Sequence, residues 1–136
     1  SANYEKYITL FIGVYDKKHR ILSYLNAGHQ PAILKNGNSI QLLTAGCTVL
    51  GMFDELPEVN SATIQIKAGS SMICFTDGLT EIENSRGVDF GTEGVKQAFF
   101  GNSPKGGLEN LTKKIEDLQG EDELFDDVTL LSVEFP

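Results

Sequence analysis

Residues 7–15, Tyr-Ile-Thr-Leu-Phe-Ile-Gly-Val-Tyr, are aromatic, β-branched and apolar at nearly every position. A run of this kind has no polar face to offer water, so it predicts a strand covered on both faces, or nearly so. A polar turn at 16–19 leads to a second apolar segment, 21–25, and the two read as a hairpin. Ala27-Gly28-His29-Gln30-Pro31 breaks the pattern before a short strand at 32–34. Asn36-Gly37 follows; both residues tolerate positive φ, so the pair marks a hairpin whose return strand is 40–43. Residues 44–61 contain Gly46, Gly51 and Pro57 and read as an irregular connection. Residues 62–67 alternate with period two, as a half-exposed strand does, and 71–76 form a buried strand ending at Asp77-Gly78. Hairpin connections of this sort predict a mostly antiparallel sheet.

Two helices follow. Thr92 can cap a short one over 93–100, with Val95, Phe99 and Ala98 facing inward. Leu108, Leu111, Ile115 and Leu118 form one apolar stripe, and Gly120 is placed as its stop. The acidic stretch 121–123, by default a solvated loop, leads through Phe125-Asp126-Asp127 to a last strand at 128–135. No internal repeat or linker interrupts the chain, which predicts a single α+β domain over residues 1–136.

Length and charge exclude several classes of function. A chain of 136 residues can bury a sizeable core, and 40% hydrophobic against 22% charged residues argues against disorder. The formal charge of −8 speaks against broad nucleic-acid binding, which needs clustered Lys and Arg. No apolar run is long enough to span a bilayer, and residues 1–6 do not read as a signal peptide, so the expectation is a soluble cytoplasmic protein with no membrane contact. Cys47 and Cys74 are too far apart for a CxxC motif, and Cys74 reads as a small buried hydrophobe.

Two histidines, His19 and His29, leave few ligands for zinc or copper, and no nucleophile elbow, Walker loop or GxGxxG is present. What the chain does place at the ends of apolar strands is carboxylate. Asp77 follows a buried run and precedes Gly78; Asp126 and Asp127 precede the last strand. Converging carboxylates suit hard cations such as Mg²⁺ or Mn²⁺. Asp-Gly is also a common turn and Asp a common strand cap, so these residues alone leave both readings open.

Longer motifs carry more. Phe75-Thr76-Asp77-Gly78-Leu79-Thr80-Glu81-Ile82-Glu83-Asn84, then Gly87 and Phe90-Gly91, closely resembles the YTDGxTEaxN…G…FG signature of SpoIIE-like protein phosphatases. These belong to the metal-dependent PPM superfamily, which also holds the protein phosphatase 2C enzymes. Asn26-Ala27-Gly28-His29-Gln30-Pro31 looks like the family's NAGHxP turn, and Asp126-Asp127-Val128-Thr129-Leu130-Leu131 like its C-terminal DDxTLL. Thr44-Ala45-Gly46 with Leu50-Gly51 is similar to its GG.pLG stretch. The motifs stand in the family's order and span almost the whole chain.

The resemblance implies a mostly antiparallel β-sandwich flanked by helices, in α-β-β-α layers, with metals at one end. It implies that Asp77 and Asp126 ligate Mn²⁺ or Mg²⁺ and are catalytic, with Gly78, Glu81, His29 and Asp127 as secondary or orienting groups. Asn84 and Thr76 are expected to help orient Asp77; His29 could by its type serve as a general acid, and its place in a Gly-Pro turn favours holding its loop through a backbone hydrogen bond. Two cations sharing a water would lower its pKa and aim it at a phosphoserine or phosphothreonine, and no covalent enzyme intermediate is required. The implied partner is a phosphorylated protein, of the anti-sigma-factor-antagonist type in bacterial signalling.

The family also uses an upstream Asp-Gly segment that bridges both metals, and no aspartate precedes Asp16 here. The expectation is therefore the C-terminal portion of the family domain, with the N-terminal part absent, inactive or nearly so alone. Its unpaired strand edges would invite a homodimer. The alternative is a non-catalytic protein-interaction module on the same scaffold, with Asp77 and Asp126 as turn residues. An unrelated β-rich domain would require the motifs to coincide by chance.

Overall fold

The computed structural model describes residues 6–101, 106–120 and 127–136. Along the chain run β1 (Leu10–Asp16), β2 (Ile21–Ala27), β3 (Ala32–Asn36), β4 (Ser39–Leu43), β5 (Gly46–Cys47), β6 (Ala62–Gln65) and β7 (Ser70–Phe75). Helices α1 (Asp77–Thr80), α2 (Gly91–Phe100) and α3 (Gly107–Gln119) precede β8 (Leu130–Phe135). The class is α+β with largely antiparallel sheets and few helices. One sheet is built on β2, and a second has the strand order β4-β3-β7-β8. The chain divides into two compact units, one running to Met72 and taking in Glu134–Pro136, the other Ile73–Val133.

In the first unit β2 is the central strand. β1 pairs antiparallel with it from Leu10↔Ala27 to Asp16↔Ile21. On its other edge β6 pairs antiparallel along Ile21–Tyr24, and β5 pairs parallel at Asn26↔Gly46 and Ala27↔Cys47. That short parallel contact sits within the mostly antiparallel arrangement expected. It exists because Gly46 has no side chain: a Cβ there would lie 1.7 Å from the Asn26 carbonyl oxygen.

The expectation of a first strand covered on both faces needs correction. Phe11 stacks on Tyr24 at 5.8 Å and Tyr15 meets Phe135 edge-on at 4.8 Å, so the odd residues of β1 face the core. Leu10, Ile12 and Val14 alternate with them and are exposed, Val14 at 67%. β1 borders its sheet, and no described residue covers that side. The β3–β4 hairpin turns at Gly37-Asn38, one residue beyond the pair expected. Gly37 alone of the two takes positive φ (64°), the demand of a II′ turn, which lets Asn36 stay in the strand.

In the second unit Ile73, Phe75, Leu79, Val95, Phe99, Leu111 and Ile115 are buried. Helix α2 starts earlier than expected. The Gly94 N–H donates to the Phe90 carbonyl, so Thr92 lies inside the first turn and caps nothing. Helix α3 follows its apolar stripe and ends at Gly120, but Leu108 stands exposed and the buried part narrows to Leu111 and Ile115. Gly107 sits where a Cβ would meet the Phe99 carbonyl oxygen at 2.5 Å, so only glycine permits this approach of α3 to α2.

Candidate functional site

The Asp77 segment is built by what precedes it. Met72, Ile73 and Phe75 are buried, which anchors β7, and Cys74 among them is half-buried, its thiol pushed up by burial. Thr76 stays extended (φ −89°, ψ 160°), and the chain then enters the single turn of α1. Gly78 and Leu79 are buried while Asp77 is exposed at the start of the turn. The Thr80 hydroxyl and the Glu81 N–H both donate to the Asp77 carbonyl, at 3.0 and 3.1 Å. The backbone of Asp77 is thereby engaged and its carboxylate faces solvent.

Thr76 ties this rim to the C-terminal motif. Its N–H donates to the Thr129 carbonyl at 3.2 Å, and its Oγ1 accepts the Thr129 N–H at 3.0 Å. The same hydroxyl donates to the Asp127 carbonyl at 3.4 Å. Segments fifty residues apart in sequence thus lie side by side, with Asp77 next to Thr76 on one and exposed Asp127 on the other. Asp126 and the acidic stretch 121–123 lie outside the described residues. Among the described residues no three His, Cys, Asp or Glu side chains gather into a cluster able to hold a metal ion.

Beyond α1, exposed Glu81 ends the turn. Asn84 shapes the loop that follows: its Oδ1 accepts from the Arg86 and Val88 N–H groups at 2.8 and 3.1 Å. A Phe90 N–H to Ile82 carbonyl bond of 2.7 Å then closes the loop.

In the first unit, His29 Nδ1 lies 2.9 Å from the Gln30 carbonyl oxygen, and since a carbonyl only accepts, Nδ1 carries the proton. Composition gave no hint of the residue that organises this turn. Asn26 is buried; its Nδ2 donates to the His29 carbonyl at 3.0 Å and the Leu43 carbonyl at 3.3 Å, and its Oδ1 accepts the His29 N–H at 2.8 Å. Its place as the first residue of the NAGHxP-like turn was the available signal. Gly28 (φ 67°) lets Val49 approach to where a Cβ would be 2.4 Å from its Cγ1.

Chemically, the rim at Asp77 offers carboxylate oxygen on a braced backbone, a hard donor that suits Mg²⁺ or Mn²⁺ better than softer metals.

The sequence profile of the family described as Stage II sporulation protein E (SpoIIE) matches residues 1–136. Protein IcfG of Synechocystis sp. (strain ATCC 27184 / PCC 6803 / Kazusa) is 31% identical over 132 residues, covering 93% of this chain and 20% of that protein. The fold is shared with the SiaA-PP2C domain of Pseudomonas aeruginosa, at a TM-score of 0.81 and 19% identity, over 96% of this chain and 53% of that one. It is shared too with the phosphatase domain of the cell fate determinant SpoIIE from Bacillus subtilis, in its Mn-presoaked form. There the TM-score is 0.68 at 22% identity, over 93% of this chain and 56% of that one. The chain therefore spans a fifth of its curated relative and a little over half of the two solved domains. No helix among the described residues is long and apolar enough to cross a membrane. With its whole length matched and its motifs in order, the chain belongs to the SpoIIE family.

Proposed function

We propose that residues 1–136 form the C-terminal portion of a metal-dependent protein serine/threonine phosphatase domain of bacterial signalling. The observation that carries this reading is the set of hydrogen bonds from Thr76 to Thr129 and Asp127, which brings the TDG motif against the DDxTLL motif. In this reading Asp77 and Asp126 hold Mn²⁺ or Mg²⁺, Asp127, Gly78 and Glu81 support the site, and His29 serves its own turn in the first unit. The donor chemistry fits such a cation, and the Mn-presoaked form of the B. subtilis relative supports manganese as the choice. When bound, the cation supplies positive charge for the phosphoryl oxygens and lowers the pKa of its water.

The chain's own residues do the rest. Thr76 ties the backbone beside Asp77 to Asp127 and Thr129, which limits the reorganisation Asp77 needs to bind. Gly78 is buried within α1, which lets the turn seat against the core while Asp77 faces outward. Glu81 adds negative charge beside the rim, and His29 keeps the NAGH turn in one shape through its bond to Gln30. The substrate class is a phosphorylated protein of the anti-sigma-factor-antagonist type, met in the cytoplasm.

Calorimetric titration of Mn²⁺ tests the site. The expected result is stoichiometric heat that is lost in Asp77→Asn and in Asp126→Asn. No heat at all, or heat unchanged in both variants, would sink the metal site and leave the scaffold as a non-catalytic module.

A further inference from the structure

We propose that the loop at residues 51–60 is a docking surface for a protein partner whose contact face is apolar and rimmed with Lys or Arg. Every residue of the loop is exposed, and four of them are large and apolar: Met52, Phe53, Leu56 and Val59. Phe53 stands 53% exposed and Met52 49%. Surface loops are normally polar, and a group of exposed large hydrophobics marks a surface that something else covers.

The loop is held rather than frayed. At its start Leu50 and Ile8 exchange backbone hydrogen bonds of 2.8 and 2.9 Å, and at its end the Asn60 N–H donates to the Gly46 carbonyl at 3.0 Å. Gly51 turns the chain at φ 91°, with the Lys6 carbonyl behind it. The two bonded ends fix where the loop leaves and rejoins the fold. The Ile8–Leu50 pair also brings exposed Tyr7 and Ile8 alongside, which extends the apolar surface.

Charge identifies the occupant. Asp54, Glu55 and Glu58 lie among the apolar residues, and no Lys, Arg or His occurs anywhere from 36 to 66. A second copy of this chain, at −8, would bring like charge to the same patch. A partner with basic residues around an apolar groove matches both features, and complementary charge speeds its encounter. The proposal is independent of the metal reading, and its test involves no metal.

The test is fluorescence anisotropy with a labelled amphipathic peptide of leucine and lysine, compared with one of leucine and glutamate. The expected result is binding of the lysine peptide alone, weakening as salt rises. Phe53→Ser, Leu56→Ser, and the combined Asp54→Asn, Glu55→Gln, Glu58→Gln variant should each weaken it by about tenfold or more. Neutralising Glu109, Glu116 and Asp117 on α3 removes the same charge elsewhere and should change binding by less than about twofold. Absence of binding, equal binding of both peptides, or equal loss in the α3 variant would overturn the proposal. So would a wild-type dimer in sedimentation that Phe53→Ser dissolves, since the occupant would then be a second copy.

Discussion

Asp16 shows how much one side chain can settle. Its Oδ1 accepts from the N–H groups of Lys18 and His19 at 3.0 and 3.1 Å, and its Oδ2 lies 2.7 Å from His19 Nδ1. The side-chain bond to His19 above all holds the Asp16 carboxyl below its ordinary range. A carboxylate depressed in the folded state contributes stability above its unfolded pKa and loses it as pH falls through the folded value. The Asp16 carboxyl carbon should therefore titrate at lower pH in the native protein than in His19→Ala, followed by carbon NMR; equal midpoints would refute the pairing. Thr76 is the second such residue. Thr76→Val removes the hydroxyl that serves Thr129 and Asp127, which should cost about 1–2 kcal/mol by thermal unfolding. Thr76→Ser should recover most of it, and Mn²⁺ affinity should fall and recover in parallel. The NAGHxP motif made His29 legible as a candidate from sequence, while the work of Asn26 was not, because its partner carbonyl on Leu43 arrives seventeen residues later.

At the scale of elements, glycine positions separate two physical demands. Gly46 is required by crowding, since a Cβ would lie 1.7 Å from the Asn26 carbonyl oxygen where β5 meets β2. Gly69 has open space around it and is constrained only by its φ of 80°. Gly46→Ala should accordingly destabilise by about 3 kcal/mol or more, as forced overpacking does at its upper range. Gly69→Ala should cost only about 1–2 kcal/mol, the strain of a left-handed residue. Urea unfolding of the two variants checks the ranking, and a larger loss at Gly69 would contradict it. The strand pattern itself was largely legible, because β-branched runs and turn residues act locally. The cover on β1 was not. Composition states how much apolar surface a strand carries, whereas burial depends on neighbours, and among the described residues the side chains of Phe11 and Tyr15 find them, in Tyr24 and Phe135. The start of α2 was missed for a similar reason: Phe90, fixed by its bond to Ile82, opens the helix before the expected cap at Thr92.

At the scale of the molecule, charge sets what these 136 residues can do alone. Two divalent cations about 4 Å apart repel by about 16 kcal/mol at an effective dielectric constant of about 20, four times the figure for unit charges. As direct ligands Asp77 and Asp126 would bring a charge of −2 against +4, and the exposed Glu81 and Asp127, screened by solvent, would offset the remainder only in part, so on the proposed assignment the ligands balance one cation far better than a pair. The motifs, read in order, pointed to the family; the number of cations the chain can hold follows from how many carboxylates meet, which no motif spells out. The chain is therefore expected to bind at most one Mn²⁺ per molecule, and to turn over a phosphoserine peptide slowly or not at all in manganese. A phosphate-release assay on purified chain reads this directly, beside an Asp77→Asn control. Rapid release abolished by that substitution would mean that two carboxylates suffice, and the charge argument would have to be abandoned.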